Sequence, residues 1–67
     1  MSVVRVTKVI ASSPKGIQEA IEEGLKRANK SLRGLTQLEI TNIKVQVKDG
    51  KIADYRVHMN ISFVLED

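Results

Sequence analysis

The 67-residue chain has no cysteine and no tryptophan, a single histidine and a single proline, and only two aromatic rings, Tyr55 and Phe63. Without cysteine, neither disulfides nor thiolate metal sites can form, which fits a reducing compartment. A core this small stabilises a chain only marginally, so with disulfides excluded oligomerisation is the remaining stabiliser. Two rings make no stacking platform for bases. No apolar run approaches the ~18 residues that would span a bilayer, and the opening "MSVVRVTKVI" alternates like a strand rather than resembling a secretion signal. The expectation is one cytoplasmic domain covering residues 1–67, with neither nucleic acid nor membrane as a partner.

What is present is strong periodicity. Val4, Val6 and Ile10 alternate with Arg5 and Thr7, predicting a first strand over roughly residues 2 to 11. "SSPKG" follows, where Ser12 or Ser13 can cap a helix with Pro14 at its first position. From Pro14 to about Arg33, Ile17, Ala20, Ile21, Leu25, Ala28 and Leu32 recur at helical spacing, with Gly24 on the same stripe. Glu19, Glu22 and Glu23 fill the first half of this helix and Lys26, Arg27, Lys30 and Arg33 the second, matching its dipole. Glu22/Lys26 and Glu23/Arg27 are spaced for pairing, so the excess of eleven Lys and Arg over eight Asp and Glu has a local explanation as a solvated face. Gly34 is placed to end the helix in the left-handed conformation.

The stretch "LTQLEITNIKVQVKDGKI" holds a second strand and a turn, and the closing "ADYRVHMNISFVLED" holds a third. A three-residue loop of Asp49, Gly50 and Lys51 sets Val47 against Ala53, Val45 against Tyr55 and Ile43 against Val57, so that the apolar sides agree. Leu38 and Ile40 are even-numbered whereas Ile43, Val45 and Val47 are odd-numbered, so a β-bulge is required near Thr41 and Asn42. It brings Ile40 opposite Met59 and Leu38 opposite Ile61. The fold class is α+β, a β-α-β-β chain with one helix on a three-stranded antiparallel sheet of order 1-3-2. Strands of 12 to 14 residues run to roughly 40 Å. A 20-residue helix covers only ~30 Å of them. Exposed edges and an uncovered apolar end predict assembly.

Nothing in the sequence supports catalysis, so no catalytic and no metal-binding residues are assigned. His58 lacks a partner set by spacing, and Glu66 and Asp67 read as a solvated tail, with a calcium role as the alternative. The polar side of the hairpin carries more information. Lys44 falls opposite Arg56, Asn42 near His58, Gln46 near Asp54, Glu39 near Asn60 and Gln37 near Ser62. Two cations across a sheet repel unless an anion lies between them. Lys44 and Arg56 can therefore grip a phosphate or a neighbouring subunit's carboxylate, or else splay into water.

The order of elements, with "VTKVIASSPKGIQEAIEEGLKRANKSLRGL" and "YRVHMNISFVLE", resembles the dodecin family over essentially the whole chain. The features that carry it are Ser12-Ser13, Glu19-Ala20-Ile21, Arg27-Ala28 and the alternation from Tyr55 through Leu65. The resemblance implies a hollow homododecamer with helices outside and hairpins lining the interior. It also implies binding of FMN or riboflavin, held as stacked pairs between tryptophans of the second strand and hydrogen-bonded by a glutamine of the third, for storage rather than catalysis. Gln37 stands at the position of the tryptophan and Arg56 at that of the glutamine, while Lys44 matches a position that is basic in members contacting phosphate-bearing ligands. The expected ligand-binding residues are Gln37, Lys44, Arg56 and His58, for a small anionic or flavin-like ligand. The alternative is a flavin-free structural or calcium-binding assembly.

Overall fold

A computed structural model describes residues 3–65, so the tail carboxylates Glu66 and Asp67 lie outside the described residues. The elements run β1 (Val4–Ser13), α1 (Ile17–Ser31), β2 (Leu35–Lys48) and β3 (Lys51–Val64). β3 lies between β1 and β2 and is antiparallel to both, giving the order β1-β3-β2 that the sequence predicts. The α+β class and the β-α-β-β connection hold as read.

Three boundaries differ. Ser12 and Ser13 pair with Arg56 and Tyr55 as the last residues of β1, so their backbone stays extended and neither caps the helix. Ser13 Oγ instead accepts the Lys15 N–H at 3.1 Å, and Gly16 caps α1 without a side-chain bond. Pro14 therefore sits in the connection. At the other end the helix stops at Ser31, and Gly34 takes its positive φ of 69° in the connection to β2. There its carbonyl accepts the Val64 N–H at 3.0 Å, and a Cβ would meet the Val64 carbonyl at 3.3 Å, so the turn is locked against β3.

The hairpin is the third correction. Lys48 pairs with Lys51, leaving a two-residue turn of Asp49 (φ 53°) and Gly50 (φ 75°), the primed type that matches strand twist. Val47 faces Ile52, not Ala53, and a register shift between Gln46 and Val47 restores Gln46 to Asp54 and Val45 to Tyr55. The extra residue predicted in the loop is thus an extra residue in the strand, Ala53. Sequence pattern distinguishes parity only, and a short loop with a bulge has the parity of a longer loop.

The bulge between Ile40 and Asn42 is where the phase change requires it, and Ile40 faces Met59 and Leu38 faces Ile61 as expected. A further shift separates Leu35 from Gln37. Both unpaired residues on β2 are threonines. Thr41 Oγ1 donates to the His58 carbonyl at 3.2 Å and Thr36 Oγ1 to the Ser62 carbonyl at 3.4 Å, so each bulge is pinned to β3 by a hydroxyl. Bulges bend a ribbon and increase its twist.

The helix packs on β1 and β3 rather than on β2. Ala20, Gly24 and Ala28 recur every four residues on its buried face, so its backbone approaches the sheet closely. A Cβ on Gly24 would meet Met59 Cε at 2.9 Å and Ala11 Cβ at 3.1 Å. Beneath this stripe Val57, Met59 and Ile61 are completely buried, with Val9, Ala11, Ile21, Leu32, Leu35 and Leu38 around them. The core ends there. On β2, which the helix leaves uncovered, and toward the turn, Ile40 is 42% exposed, Ile43 and Val45 41%, Ile52 57% and Val47 66%. The molecule measures 51 × 20 × 13 Å with a radius of gyration of 13.8 Å, where a compact chain of this length would have about 11 Å.

Candidate functional site

The face of the sheet turned away from α1 is built by the alternation of three strands. β3 contributes Asp54, Arg56, His58, Asn60 and Ser62, since its odd-numbered residues point into the core. Pairing then carries Lys44, Asn42, Glu39 and Gln37 from β2 onto the same face. From β1 the register brings Ser12, Ile10, Lys8, Val6 and Val4, opposite Arg56, His58, Asn60, Ser62 and Val64. The first strand therefore faces the opposite way from what its apolar set implies. Val9 and Ala11 pack against the core, whereas Val4, Val6 and Ile10 lie on the outer face, each more than half exposed.

This register surrounds His58 with positive charge. Lys44 reaches it from β2, Lys8 from β1, and Arg56 stands two residues away on its own strand and directly across from Lys44. Glu39 and Asp54 share the face, opposite Asn60 and Gln46. The imidazole is held below the usual histidine value of 6.5, first by loss of solvent and then by Lys44, Lys8 and Arg56. Its Nε2 is shielded from water and has no hydrogen-bond partner among the described residues. A neutral imidazole among three cations is what Coulomb's law favours when no anion is present.

Of the four residues expected at the site, Lys44, Arg56 and His58 come together on neighbouring positions of the sheet. Gln37 does not join them. It pairs with Ser62, four residues along β3 from His58, or roughly 13 Å at ~3.3 Å per residue. A groove of about 240 Å³ that Gln37 borders with Leu25, Leu35, Thr36, Leu38 and Ile61 opens on the helix side of the sheet, not on this outer face. Lys8 is the residue that sequence reading missed. Its signal lay in the strand order: once β1 is set antiparallel beside β3, the lysine falls diagonal to the histidine. A larger groove of about 590 Å³ lies at the start of α1, lined by Lys15, Lys26 and the carboxylates of Glu19, Glu22 and Glu23, and belongs to the helix surface rather than to this face. Gln18 Nε2 donates to Glu22 Oε2 there at 3.1 Å. Among the described residues no three His, Cys, Asp or Glu side chains are grouped to hold a metal ion, and no helix is long and apolar enough to cross a membrane.

These features define a class: a single-helix β-α-β-β domain with a bulged hairpin outrunning its helix and a cationic outer sheet face. The chain belongs to the dodecin family, whose sequence model matches residues 3–66. It is 29% identical over 65 residues to the dodecin of Thermus thermophilus, spanning 97% of this chain and 94% of that one. The fold is similar to the dodecin from Streptomyces davaonensis, with a TM-score of 0.93, 35% identity and 98% and 97% of the two chains covered. It is also similar to a calcium dodecin from Mycobacterium tuberculosis, with a TM-score of 0.82, 29% identity and 97% and 93% covered.

Proposed function

We propose that this protein is a non-enzymatic binding and storage protein that takes up a small phosphate-bearing or flavin-like ligand, FMN or riboflavin foremost, as a homododecamer. The observation that carries the reading is the meeting of Lys8, Lys44 and Arg56 around His58 on one sheet face. Like charges held side by side repel, and an oxyanion between them turns that repulsion into several charge-assisted hydrogen bonds. Membership of the dodecin family supports the ligand class and the assembly.

Within this reading Lys44 and Arg56 grip the anion and His58 borders it. Gln37 stands farther along the same face, where a ligand with a ring beyond its phosphate would reach it. An amide side chain hydrogen-bonds a ring edge but offers no π face, so the aromatic sandwich is replaced by polar contact. The uncovered apolar residues of the hairpin are the surface that copies of the chain bury. Equilibrium dialysis against FMN and riboflavin tests the binding. Saturable uptake of FMN, weakened in Arg56→Ala, is the expected result, and no uptake at ligand concentrations on the order of millimolar contradicts it.

The calcium dodecin among the similar structures favours one alternative, a flavin-free structural or calcium-binding assembly. In that case Arg56 pairs with a carboxylate of a neighbouring copy. Arg56→Ala then breaks up the assembly on gel filtration, whereas in the ligand-binding reading it leaves the assembly whole and unable to hold FMN.

A further inference from the structure

We infer that the cationic face binds its anion together with a proton, His58 serving as the group that takes the proton up. The inference rests on the anion-binding reading above and adds a regulator to it: acidity loads the site and alkalinity empties it.

One polar atom on this face has no bonding role in the empty site. His58 Nε2 is shielded from solvent and has no partner among the described residues, although a bonded atom there would be more stable. An uncharged imidazole presents one donor nitrogen and one acceptor nitrogen. No proton position is fixed by the heavy atoms, but a protonated ring would present donors at both nitrogens, including the one now idle. What prevents protonation is the surroundings. Lys8 stands on one flanking strand, Lys44 on the other, and Arg56 on the strand itself. The carboxylates sharing this face, Glu39 and Asp54, are paired with Asn60 and Gln46, on either side of the Asn42–His58 row. The helix lies on the opposite face of the sheet and brings no charge to this side.

A dianionic phosphate ester placed among the three cations reverses the field at the ring. The same Coulomb interaction that opposes the proton in the empty site then favours it, and Nε2 gains an acceptor. Linkage fixes the sign. If the bound anion raises the His58 pKa, protonation must raise anion affinity by the same factor, about tenfold for each unit of change. Affinity is lowest at pH values where the ring is neutral with and without ligand. While the phosphate stays dianionic it climbs as pH falls through the interval between the bound and free values; protonation of the ester itself, near its second pKa of about 6, then weakens binding at lower pH. The ring nitrogen takes its proton from solvent and no bond other than N–H is made.

His58 is the sole histidine of the chain, so its titration can be followed without ambiguity. The test is to record the NMR signal of ¹³C-labelled His58 Cε1 across the pH range of the intact protein, first alone, then saturated with FMN, then saturated with riboflavin, which lacks the phosphate. The expected result is a midpoint below 6.5 in the free protein, displaced upward by FMN and unmoved by riboflavin. Lys8→Gln in the free protein should move the midpoint up without any ligand, since it removes one of the three opposing charges. Bound FMN with an unchanged His58 midpoint overturns proton coupling while leaving anion binding intact. An absence of FMN binding at every pH, measured by dialysis on the same samples, overturns the binding reading and this inference with it.

Discussion

Under α1, Val57, Met59 and Ile61 are sealed from water, whereas on uncovered β2 and toward the hairpin tip Ile43, Val45, Val47 and Ile52 remain 41–66% exposed although they continue the same apolar face. Both regions are written in the same alternating pattern of β-branched and aliphatic residues. They differ in what lies above them. The helix spans 15 residues, about 22 Å at 1.5 Å per residue, while β2 and β3 have 14 residues each and run roughly twice as far. Alternation specifies which side of a strand avoids water, but the element that covers that side is specified elsewhere. In one half the covering element is in the chain, and in the other half the proposed assembly supplies it from a second copy.

The comparison can be broken most severely under the helix. Met59→Ala opens a cavity in a core whose largest fully buried side chains, among the described residues, are Met59, Ile61 and Val57, and should cost about 2–5 kcal/mol. A domain this small has little more than that in total, so thermal or denaturant melts should show the variant unfolded or nearly so at room temperature. The deficit should be present at every protein concentration. Val45→Asp, in the uncovered half, should behave in the opposite way. Its side chain is already in contact with water in the single chain, so the charge is tolerated there and rejected only where copies meet. Light scattering coupled to gel filtration should show loss of the assembly, with a melting deficit that shrinks as concentration rises. Equal concentration dependence for the two variants would mean that the two halves of the face are not distinct.

A smaller effect tests the bulge that joins the halves. Thr41→Val keeps the branched shape and removes the hydroxyl bonded to the His58 carbonyl, and should cost about 1 kcal/mol in a chemical melt. No change would show that the strand turns its phase without that bond. The smallest effect is in pH. In the anion-free protein, folding holds the His58 pKa below 6.5, so the unfolded chain binds a proton that the folded chain refuses. The stability this gives is complete above the unfolded value and is lost as pH falls from there toward the lower folded value. Melts between about pH 7 and about pH 5 should therefore show a steeper loss for the protein than for His58→Gln. Parallel curves would remove the electrostatic account of the outer face.

How legible this was depends on what each residue reports. Most of β3 could be read, because Asp54 to Phe63 alternates without interruption and both neighbouring strands take their register from it. The bulge at Thr41 was legible because it changes parity. Ala53 was not, since a bulge beside a short turn leaves the same parity as a longer loop, and only the Lys48–Lys51 pair distinguishes them. β1 misleads for a different reason. Val4, Val6 and Ile10 form its alternating apolar set, yet Val9 and Ala11 face the helix, with Ala11 at the close approach of Gly24. That inversion hid Lys8 from the site and put three apolar residues on the outer face. The pairing of Lys44 with Arg56 followed from the hairpin alone, whereas the charge gathered around His58 needed the third strand.

The account stands on the uncovered half of the sheet being completed by copies of the same chain. Its most direct test is the mass of the native protein at micromolar concentration, by native mass spectrometry or light scattering. A closed assembly of about 90 kDa, twelve chains of 7.5 kDa each, is the predicted result. A folded, persistent species of 7.5 kDa would contradict it.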